Sequence, residues 1–535
     1  MVGNLVKFNY LCSMEGKRLK YPIGSQDFAW IRENGYVYID KTDLVYDLID
    51  TAKYLFLARP RRFGKSLLLS TLRYYFEGRK DLFEGLKIMD LEREWKRYPV
   101  LHLSLGNINA AKIESLQINI ERQFKIWEED YDIKDKEEDL SSRLATIIRR
   151  AYEKTGERVV VLIDEYDNPL INTIHNREIH ESHRNMLKSI YSNLKDMDEY
   201  IRFAMLTGVS RFSKTTIFSG LNNIFDITFH NNYSAICGFT EKEICEVLWP
   251  GIEALAEEEG ISPQEAMTIL KEEYDGYHFT ERMIDVYNPF SLLNSLANSK
   301  IKNYWMQTGT PEFLARMLST STKSFSNIFS SEATEQSLAE NDTVFSSPVS
   351  LLYQTGYLTI KDYNKEKKRF LLGVPNREVD SNLFPFLLGR FIGEDTFSAE
   401  DGAEVIKRYI LEGDPEEFLP MLQAFLAPTP YSVFPEKPKE LDFEHMLYLM
   451  FRTMGLKVTA EKPISFGRTD LEIETEHFLY IFELKVDRTP EEAVEQILKK
   501  EYTLPHKYDN RKLFKIGINF SSEKRNIDGW KVLES

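Results

Sequence analysis

Apolar positions along this chain fall into two patterns. Four short stretches are almost continuously apolar: YLFLA (54–58), PVLHLSL (99–105), the first part of RVVVLIDEYD (158–167), and the first part of IRFAMLTGVS (201–210). Between them, SLLLSTLRYYF and the charged region 111–155 carry apolar residues at helical spacing. Continuous apolar strands alternating with amphipathic helices predict a parallel sheet covered on both faces. From about Thr240 the helical pattern takes over. TEKEICEVLW opens with Thr240 as cap and Glu243 three residues later, and helical segments continue past residue 340. LLYQTGYLTI, KDYNKEKKRF and LLGVPNREV predict a helix end followed by a β-hairpin with a charged tip, a winged-helix-like order. Residues 400–430 are expected to be helical again. PTPYSVFPEKPKE (428–440) holds four prolines in thirteen residues and predicts a linker. After it a small α/β module is expected: helix FEHMLYLMFRTMG, strands LKVTAEKPI, GRTDLEIETE and FLYIFELKV, helix PEEAVEQILKKEY and strand LFKIGINF. No repeat appears at solenoid or propeller periods.

Length and charge narrow the class. At roughly 150 residues per domain, 535 residues suggest three or four domains. The pattern divides into an arm (1–20), an α/β domain (21–240), a helical and winged-helix-like region (241–430) and the terminal module (431–535). A chain 42% hydrophobic and 28% charged is ordinary for a folded protein. No run approaches the ~18 apolar residues of a spanning helix, so disordered, collagen-like and membrane classes are excluded. With 68 Lys and Arg against 84 Asp and Glu, the net charge of −16 argues against a histone-like basic coat. Local basic patches can still bind phosphates on an acidic body. Cys12, Cys237 and Cys245 form no CxxC pair, so neither a disulfide framework nor a cysteine zinc site is expected, and a reducing cytoplasm fits best. VGNLVKFNYLC is interrupted by Lys7 and Asn9 and does not fit a signal peptide; Met14 offers a second start.

Two constellations carry chemistry. A phosphate-binding loop needs inward backbone N–H groups, a lysine reaching the β/γ phosphates and a hydroxyl on Mg²⁺. RPRRFGKSLLLS, placed between strand YLFLA and a helix, supplies Gly64, Lys65 and Ser66, with Arg59 where the motif's first glycine would stand. GKS alone also fits the basic start of a helix. The apolar run ending in Asp164 and Glu165 shifts the balance, because adjacent acids at the end of a buried strand are costly unless they face a cation or a reacting water. Asp164 is expected in the Mg²⁺ shell with Ser66, and Glu165 as the group that polarises the attacking water. FAMLTGVS ends at Thr207 and Ser210, where a polar residue can sense the γ-phosphate. Arg211 beyond it fits an arginine finger or sensor, or equally a surface arginine. The nucleotide-binding candidates are Arg62, Phe63, Gly64, Lys65, Ser66, Leu67, Asp164, Thr207 and Arg211, with ATP as the nucleotide.

PIGSQDF, VYIDKTDL, RPRRFGKSLLLSTL, VLIDEYDNPL, LTGVSRFSKTTIFSGLNNIFD, YDGYHF, VYNPFSLLN and NYWMQTGTP follow one another as in the bacterial AAA-ATPase-like family. The chain resembles that family over nearly all of its length after residue 20. The resemblance implies an AAA-like P-loop fold, a parallel sheet with helices on both faces, followed by a PD-(D/E)XK nuclease-like domain. An arginine at the place of Arg59 is usual in that family.

The second constellation lies in the terminal module. In FLYIFELKV, Glu483 and Lys485 are two apart and share one face of the strand. A hairpin can bring Asp470, which opens DLEIETE, beside Glu483, giving two carboxylates for one Mg²⁺. Lys485 would then orient the attacking water or steady charge on the phosphate. Glu444 on the preceding helix is the expected third metal ligand, and Gln496 on the following helix a support for Lys485 or a contact to the DNA backbone. The alternative is a cross-strand ion pair of Asp470 or Glu472 with Lys485 on a solvated face. The module resembles the PD-(D/E)XK superfamily, in which the positions of Asp470, Glu483 and Lys485 carry cleavage; here Thr469-Asp470 stands in place of Pro-Asp. A basic stretch from Lys499 to Lys515 fits either a phosphate-tracking surface or a solvated helix face.

His175, His180 and His183 lack an accompanying carboxylate spacing and are expected on a polar helix surface. Tyr274 to Phe279 (YDGYHF) is expected to hold a turn at Asp275-Gly276, with packing near the nucleotide open. The expected whole is a cytoplasmic α/β protein of three parts: an AAA-like P-loop ATPase, a helical and winged-helix-like middle and a restriction-endonuclease-like domain. ATP hydrolysis would be coupled to cleavage of nucleic acid, DNA by family context, with Mg²⁺ or, at the nuclease site, Mn²⁺. The family context points to defence or mobile-element processing, with no membrane partner and with oligomers open. The rival is an ATP-driven signalling or assembly switch whose nuclease-like module only binds a partner.

Overall fold

In a computed structural model of the chain, the described residues are 19–106, 112–134, 139–174, 176–211, 223–305, 318, 323–339, 348–392, 396–430, 434–464 and 467–534. Nearly all of the expected arm, Cys12, His175, residues 212–222 and 306–311 of the family-like motifs, and 431–433 of the proline-rich stretch lie outside them. The chain forms two compact units, one from 1–307, 334–346 and 350–363, the other from 308–333, 347–349 and 364–535. The region expected at 241–430 is therefore shared between them.

The first unit is built on a parallel sheet of β1 (Tyr54–Ala58), β2 (Val100–Ser104), β3 (Val159–Asp164), β4 (Ile201–Gly208) and β5 (Phe225–Asp226), in the order β2-β3-β4-β1-β5. Every residue of β1 and β3 is buried, which explains their continuous apolar runs: a parallel strand packs both faces, and alternate side chains serve opposite cores. Tyr54, Phe56, Val159, Val161 and Ile163 meet the helices Ile113–Asp130, Leu140–Thr155 and Arg177–Asp196. Leu55, Leu57, Val160 and Leu162 meet the helix Lys65–Phe76 on the other side. Because β4 lies between β1 and β3, the C-terminal ends of all three stand side by side, with Ala58 opposite Gly208 and Ile163 opposite Leu206. The expected capping box is present at Thr240 and Glu243 and starts the helix Glu241–Val247. His183 departs from expectation, being fully buried with its ring nitrogens facing the carbonyls of Pro169 and Ile113.

The predicted helix, strand and strand follow in order as Pro348–Thr355, β7 (Thr359–Asn364) and β8 (Arg369–Gly373). In the second unit β8 pairs antiparallel with the short β6 (Glu332–Ala333). The main sheet there contains β9 (Lys457–Ile464), β10 (Gly467–Glu474), β11 (Phe478–Val486), β12 (Lys512–Ser521) and β13 (Asn526–Glu534), in the order β13-β12-β11-β10-β9. Only β11 and β12 run parallel, joined through the helix Pro490–Lys499. That helix approaches closely because residue 517 is glycine; a Cβ there would collide with the Pro490 carbonyl. β13 was not expected, since NIDGWKVLE is half-buried along most of its length and lacks a clear apolar alternation.

The helix Glu440–Thr453 covers one face of this sheet, with Phe443 stacked on Phe520 at 4.1 Å and Phe451 5.7 Å from Phe482. Its residues from Phe443 to Phe451 are all buried, His445 among them. The ring stacks on Phe325 at 4.0 Å and donates from Nε2 to the Lys323 carbonyl at 3.0 Å. Burial lowers its pKa to about 4. The unfolded chain would take up that proton near pH 6.5, so stability is lost as the pH falls from 6.5 toward 4. Thermal melts should show the wild type losing up to about 3 kcal/mol more than His445→Gln across that interval, with parallel curves above pH 7.

Candidate nucleotide and nuclease sites

The loop after β1 passes directly into the helix Lys65–Phe76. Gly64 is its N-cap, in the left-handed region at φ 94°, and no side chain among the described residues caps the helix. A glycine tolerates that backbone, and uncapped N–H groups at a helix start are a natural anion cradle. Lys65 is buried and donates from Nζ to the carbonyls of Arg59 and Pro60, both at 2.9 Å. Burial pulls its pKa down, opposed by Asp164, Glu165 and Asp167. Ser66 and Leu67 are half-buried in the first turn, and Leu67 packs with the aromatic cluster around Phe28 and Phe83. Phe63 is buried against Tyr277 and Phe279 at 4.8 and 5.5 Å, so the YDGYHF segment braces the loop. Arg62 is exposed, its guanidinium 4.6 Å from the Phe290 ring.

At the end of β3, Asp164 accepts from Thr207 Oγ1 at 2.6 Å and from the Glu165 N–H at 3.0 Å. Glu165 has φ 52°, a left-handed conformation that costs a non-glycine residue about 1 kcal/mol. Its carboxyl pKa is raised first by burial and then by Asp164. Three further residues of the DEYDN run were not foreseen as site residues. Asp167 is buried and accepts from the N–H groups of Val209, at 3.0 Å, and Ser210. Tyr166 donates to the Ser210 carbonyl at 2.9 Å, and Asn168 donates to the carbonyls of Leu105 and Gly106 at 3.0 and 2.9 Å. This run therefore clasps the ends of both neighbouring strands. Room for it comes from Gly106 and Gly208: a Cβ at the first would collide with the Glu165 carboxylate, and at the second with Tyr166 and Asp167. The glycines that end LHLSLG and LTG were the available signal.

Two arginines have structural partners. Arg59 is fully buried, donating to the carbonyls of Ala58, Thr228 and Tyr233 at 2.8–3.2 Å and lying 4.2 Å from the Phe279 ring. A side chain at the motif's first-glycine position thus holds the loop entrance. Arg211 pairs with Asp226 and lies 3.7 Å from Glu335, with its N–H on Gln354 at 3.2 Å. Its guanidinium is engaged within the first unit.

In the second unit the register that pairs Leu471 with Phe482 carries Asp470 to the level of Glu483. Asp470 accepts from the Leu484 N–H at 2.7 Å. Lys485 donates from Nζ to Glu483 Oε1 at 2.7 Å and to the Leu484 carbonyl at 3.0 Å, and lies 3.7 Å from Glu440. Both carboxyl pKa values are raised, by burial first and, for Glu483, next by Asp470. Glu483 Oε2 is buried without a hydrogen-bond partner among the described residues. Two apposed carboxylates with an orphaned buried oxygen fit a hard divalent cation that prefers oxygen ligands. Glu444 is buried on the adjacent helix within electrostatic reach of Asp470; its Oε1 accepts from Ser324 Oγ at 2.5 Å, and burial pushes its pKa up to about 8. Among the described residues no three His, Cys, Asp or Glu side chains form a ready metal cluster. Gln496 donates from Nε2 to Tyr502 Oη at 3.2 Å. Glu472 pairs with Lys462 at 2.7 Å and lies 3.3 Å from His506; Lys485 pairs with Glu483 of its own strand and, at longer range, with Glu440 of the helix. Glu440 and Tyr502 were missed; the i,i+4 spacing of Glu440 and Glu444 pointed to the first.

Residues 22–218 match a family described as "Predicted AAA-ATPase", and residues 439–530 match the PD-(D/E)XK nuclease superfamily. An uncharacterized protein in the vnfD 5′ region of Azotobacter chroococcum mcd 1 is 35% identical over 524 residues, covering 96% of this chain and 99% of that one. Among solved structures, the Aeropyrum pernix ORC2 protein aligns with 63% of this chain and 88% of its own at 11% identity, with a TM-score of 0.25. No helix among the described residues is long and apolar enough to cross a membrane.

Replacing Arg59 by glycine, which restores the ordinary loop motif, should destabilise the first unit by about 3 kcal/mol, because three buried carbonyls lose their donor; denaturant titration measures it. Gly106→Ala should displace Glu165 and lower ATP turnover by about 100-fold, with nucleotide affinity from fluorescence titration little changed.

Proposed function

Since the chain belongs to the AAA-ATPase-like family whose P-loop domain is followed by a PD-(D/E)XK nuclease domain, we propose that it hydrolyses ATP at the first site and cleaves nucleic acid, DNA by preference, at the second, with the first activity controlling the second. The observation that carries the nuclease reading is the buried, unpartnered Glu483 Oε2 beside Asp470, on the same face as Lys485. A module that only docks a partner has no use for that arrangement, and burying it uncompensated is expensive.

In the first unit the main-chain N–H groups from Gly64 onward bind phosphate oxygens and Lys65 turns from its loop carbonyls to the β/γ oxygens. Asp164 is held by Thr207, and Glu165 orients the attacking water. In the second unit Asp470 and Glu483, and in the first Ser66 and Asp164, would hold Mg²⁺, which when bound stabilises negative charge on the phosphoryl oxygens. Lys485, steered by Glu483 and the Leu484 carbonyl, donates to the attacking water or to the non-bridging oxygen. Arg211 acts in this reading as a brace for the end of β4. Defence or mobile-element processing is the setting in which such a nucleotide-controlled cleavage is useful.

The test is cleavage of circular and linear DNA and of RNA with Mg²⁺ or Mn²⁺, with and without ATP. Lys485→Ala and Asp470→Asn should abolish cleavage while ATP turnover persists; Lys65→Ala should abolish turnover and the ATP dependence of cleavage. Because both nuclease carboxyl groups hold protons more tightly than usual, the Mg²⁺ needed for half-maximal cleavage should fall as the pH rises from 6.5 to 8.5. ATP turnover without cleavage under every condition would favour the switch reading.

A further inference from the structure

Most large apolar side chains of the second unit are buried, yet three exposed ones crowd into residues 498–508: Leu498 at 50%, Leu504 at 50% and Tyr508 at 90% exposure. The same eleven residues carry Lys499, Lys500 and Lys507 against one carboxylate, Glu501, in a chain whose net charge is −16. All three lysines are exposed. An aromatic ring left 90% in water contributes almost nothing to folding.

The segment is nevertheless held in place. Successive turns run through it, from the Leu504 N–H to the Glu501 carbonyl at 2.9 Å, from His506 to Thr503 at 3.0 Å, and from Asp509 to His506 at 2.9 Å. It is fastened at three points. Tyr502 is buried and receives the Gln496 amide, His506 lies 3.3 Å from Glu472, and Arg511 bonds Asp509 and Glu474. Two of these points adjoin the candidate nuclease centre. Tyr502 lies within electrostatic reach of Asp470, Glu483 and Lys485, and Glu472 is two residues along β10 from Asp470 on the same face. Tyr508, with Lys507 Nζ 5.9 Å from its ring centre, is thus presented on a braced turn that starts beside the catalytic carboxylates.

We infer that this turn is a stacking platform for an unpaired nucleic-acid strand: Tyr508 takes the face of a base, and the lysines take the phosphates on either side of it. The inference rests on the nuclease reading of the neighbouring site and names its substrate class. Base faces are free only where bases are unpaired, so stacking on Tyr508 selects single strands, flaps or frayed ends over intact duplex. Pre-ordering of the turn means that little entropy is lost on binding. The apolar side chains of Leu498 and Leu504 add contact area that a purely electrostatic surface would not need.

The experiment measures binding of fluorescently labelled single-stranded DNA, single-stranded RNA and blunt duplex to the full chain in EDTA, where cleavage cannot interfere, followed by cleavage of the same substrates in Mg²⁺. Tyr508→Ala should weaken single-strand binding by about 10-fold or more and leave duplex binding within about twofold, while Tyr508→Phe restores it. Lys499, Lys500 and Lys507 changed together to glutamine should weaken all nucleic acids and flatten the salt dependence. Whichever of DNA and RNA binds more tightly identifies the sugar chemistry. Single-strand binding lost in Tyr508→Ala, with no cleavage by wild type, would sink the nuclease reading and leave the platform standing. Wild-type cleavage with Tyr508→Ala indistinguishable from it in strand preference and affinity would overturn the platform and leave the nuclease. No binding of any nucleic acid overturns the platform directly. Since Tyr508 is exposed, loss of folding is not expected, and melting curves of each variant check it.

Discussion

Asp167 sits out of water at the end of a buried strand, and what holds it there organises the first unit. A carboxylate in that position is tolerable only if donors surround it, and the donors are main-chain N–H groups of Val209 and Ser210 at the end of the neighbouring strand. Tyr166 and Asn168 make the matching bonds to either side. The cost of burying one charged run is thus offset by tying three strand ends together. Asp164 and Glu165 project from a rigid edge as a result, and rigid placement is what the role proposed for Glu165 requires.

The second unit meets the same constraint differently. Lys485 neutralises Glu483 from two residues away on the same strand, and Asp470 takes a main-chain N–H from the strand it faces. That leaves one carboxylate oxygen of Glu483 unsatisfied. Burial raises both carboxyl pKa values, helped at Glu483 by the neighbouring Asp470, and a divalent cation would offset the same cost. Glu444 and Glu440, one turn apart on the adjacent helix, differ in the same sense: the buried one is bonded to Ser324, and the exposed one approaches Lys485.

Arg59 illustrates how a departure from a motif can be structural. A glycine at the loop entrance serves where the backbone must come close to phosphate. Here a buried guanidinium fills the space and joins the carbonyls of Ala58, Thr228 and Tyr233, so the loop is braced from below by a side chain. Phe63 and the aromatic pair Tyr277 and Phe279 complete that brace. The segment YDGYHF is some two hundred residues from the loop it supports, and its aromatic content alone could not say so.

Periodicity and local residue chemistry were enough for the elements that bury both faces or place charge where charge is costly. The all-apolar runs of β1, β3 and β4, the capping box at Thr240, the lysine and serine after Gly64, the paired acids 164 and 165, and the same-face pair Glu483 and Lys485 are all legible because each depends on neighbours within a few positions. The edge strand β13 was not legible, since a half-buried strand has no strong alternation. Nor was the burial of His183, nor the bonding of Glu444 to Ser324 and Gln496 to Tyr502. The roles of Gly106 and Gly208 depend on which strands lie beside β3, and the position of Tyr508 depends on turns fastened to β10. Sequence spacing determines which side chains share a face. Which partner stands opposite that face is decided only when strands distant in the chain come together, because a hydrogen bond or an ion pair acts over about 3 Å and the chain can bring any two distant residues that close.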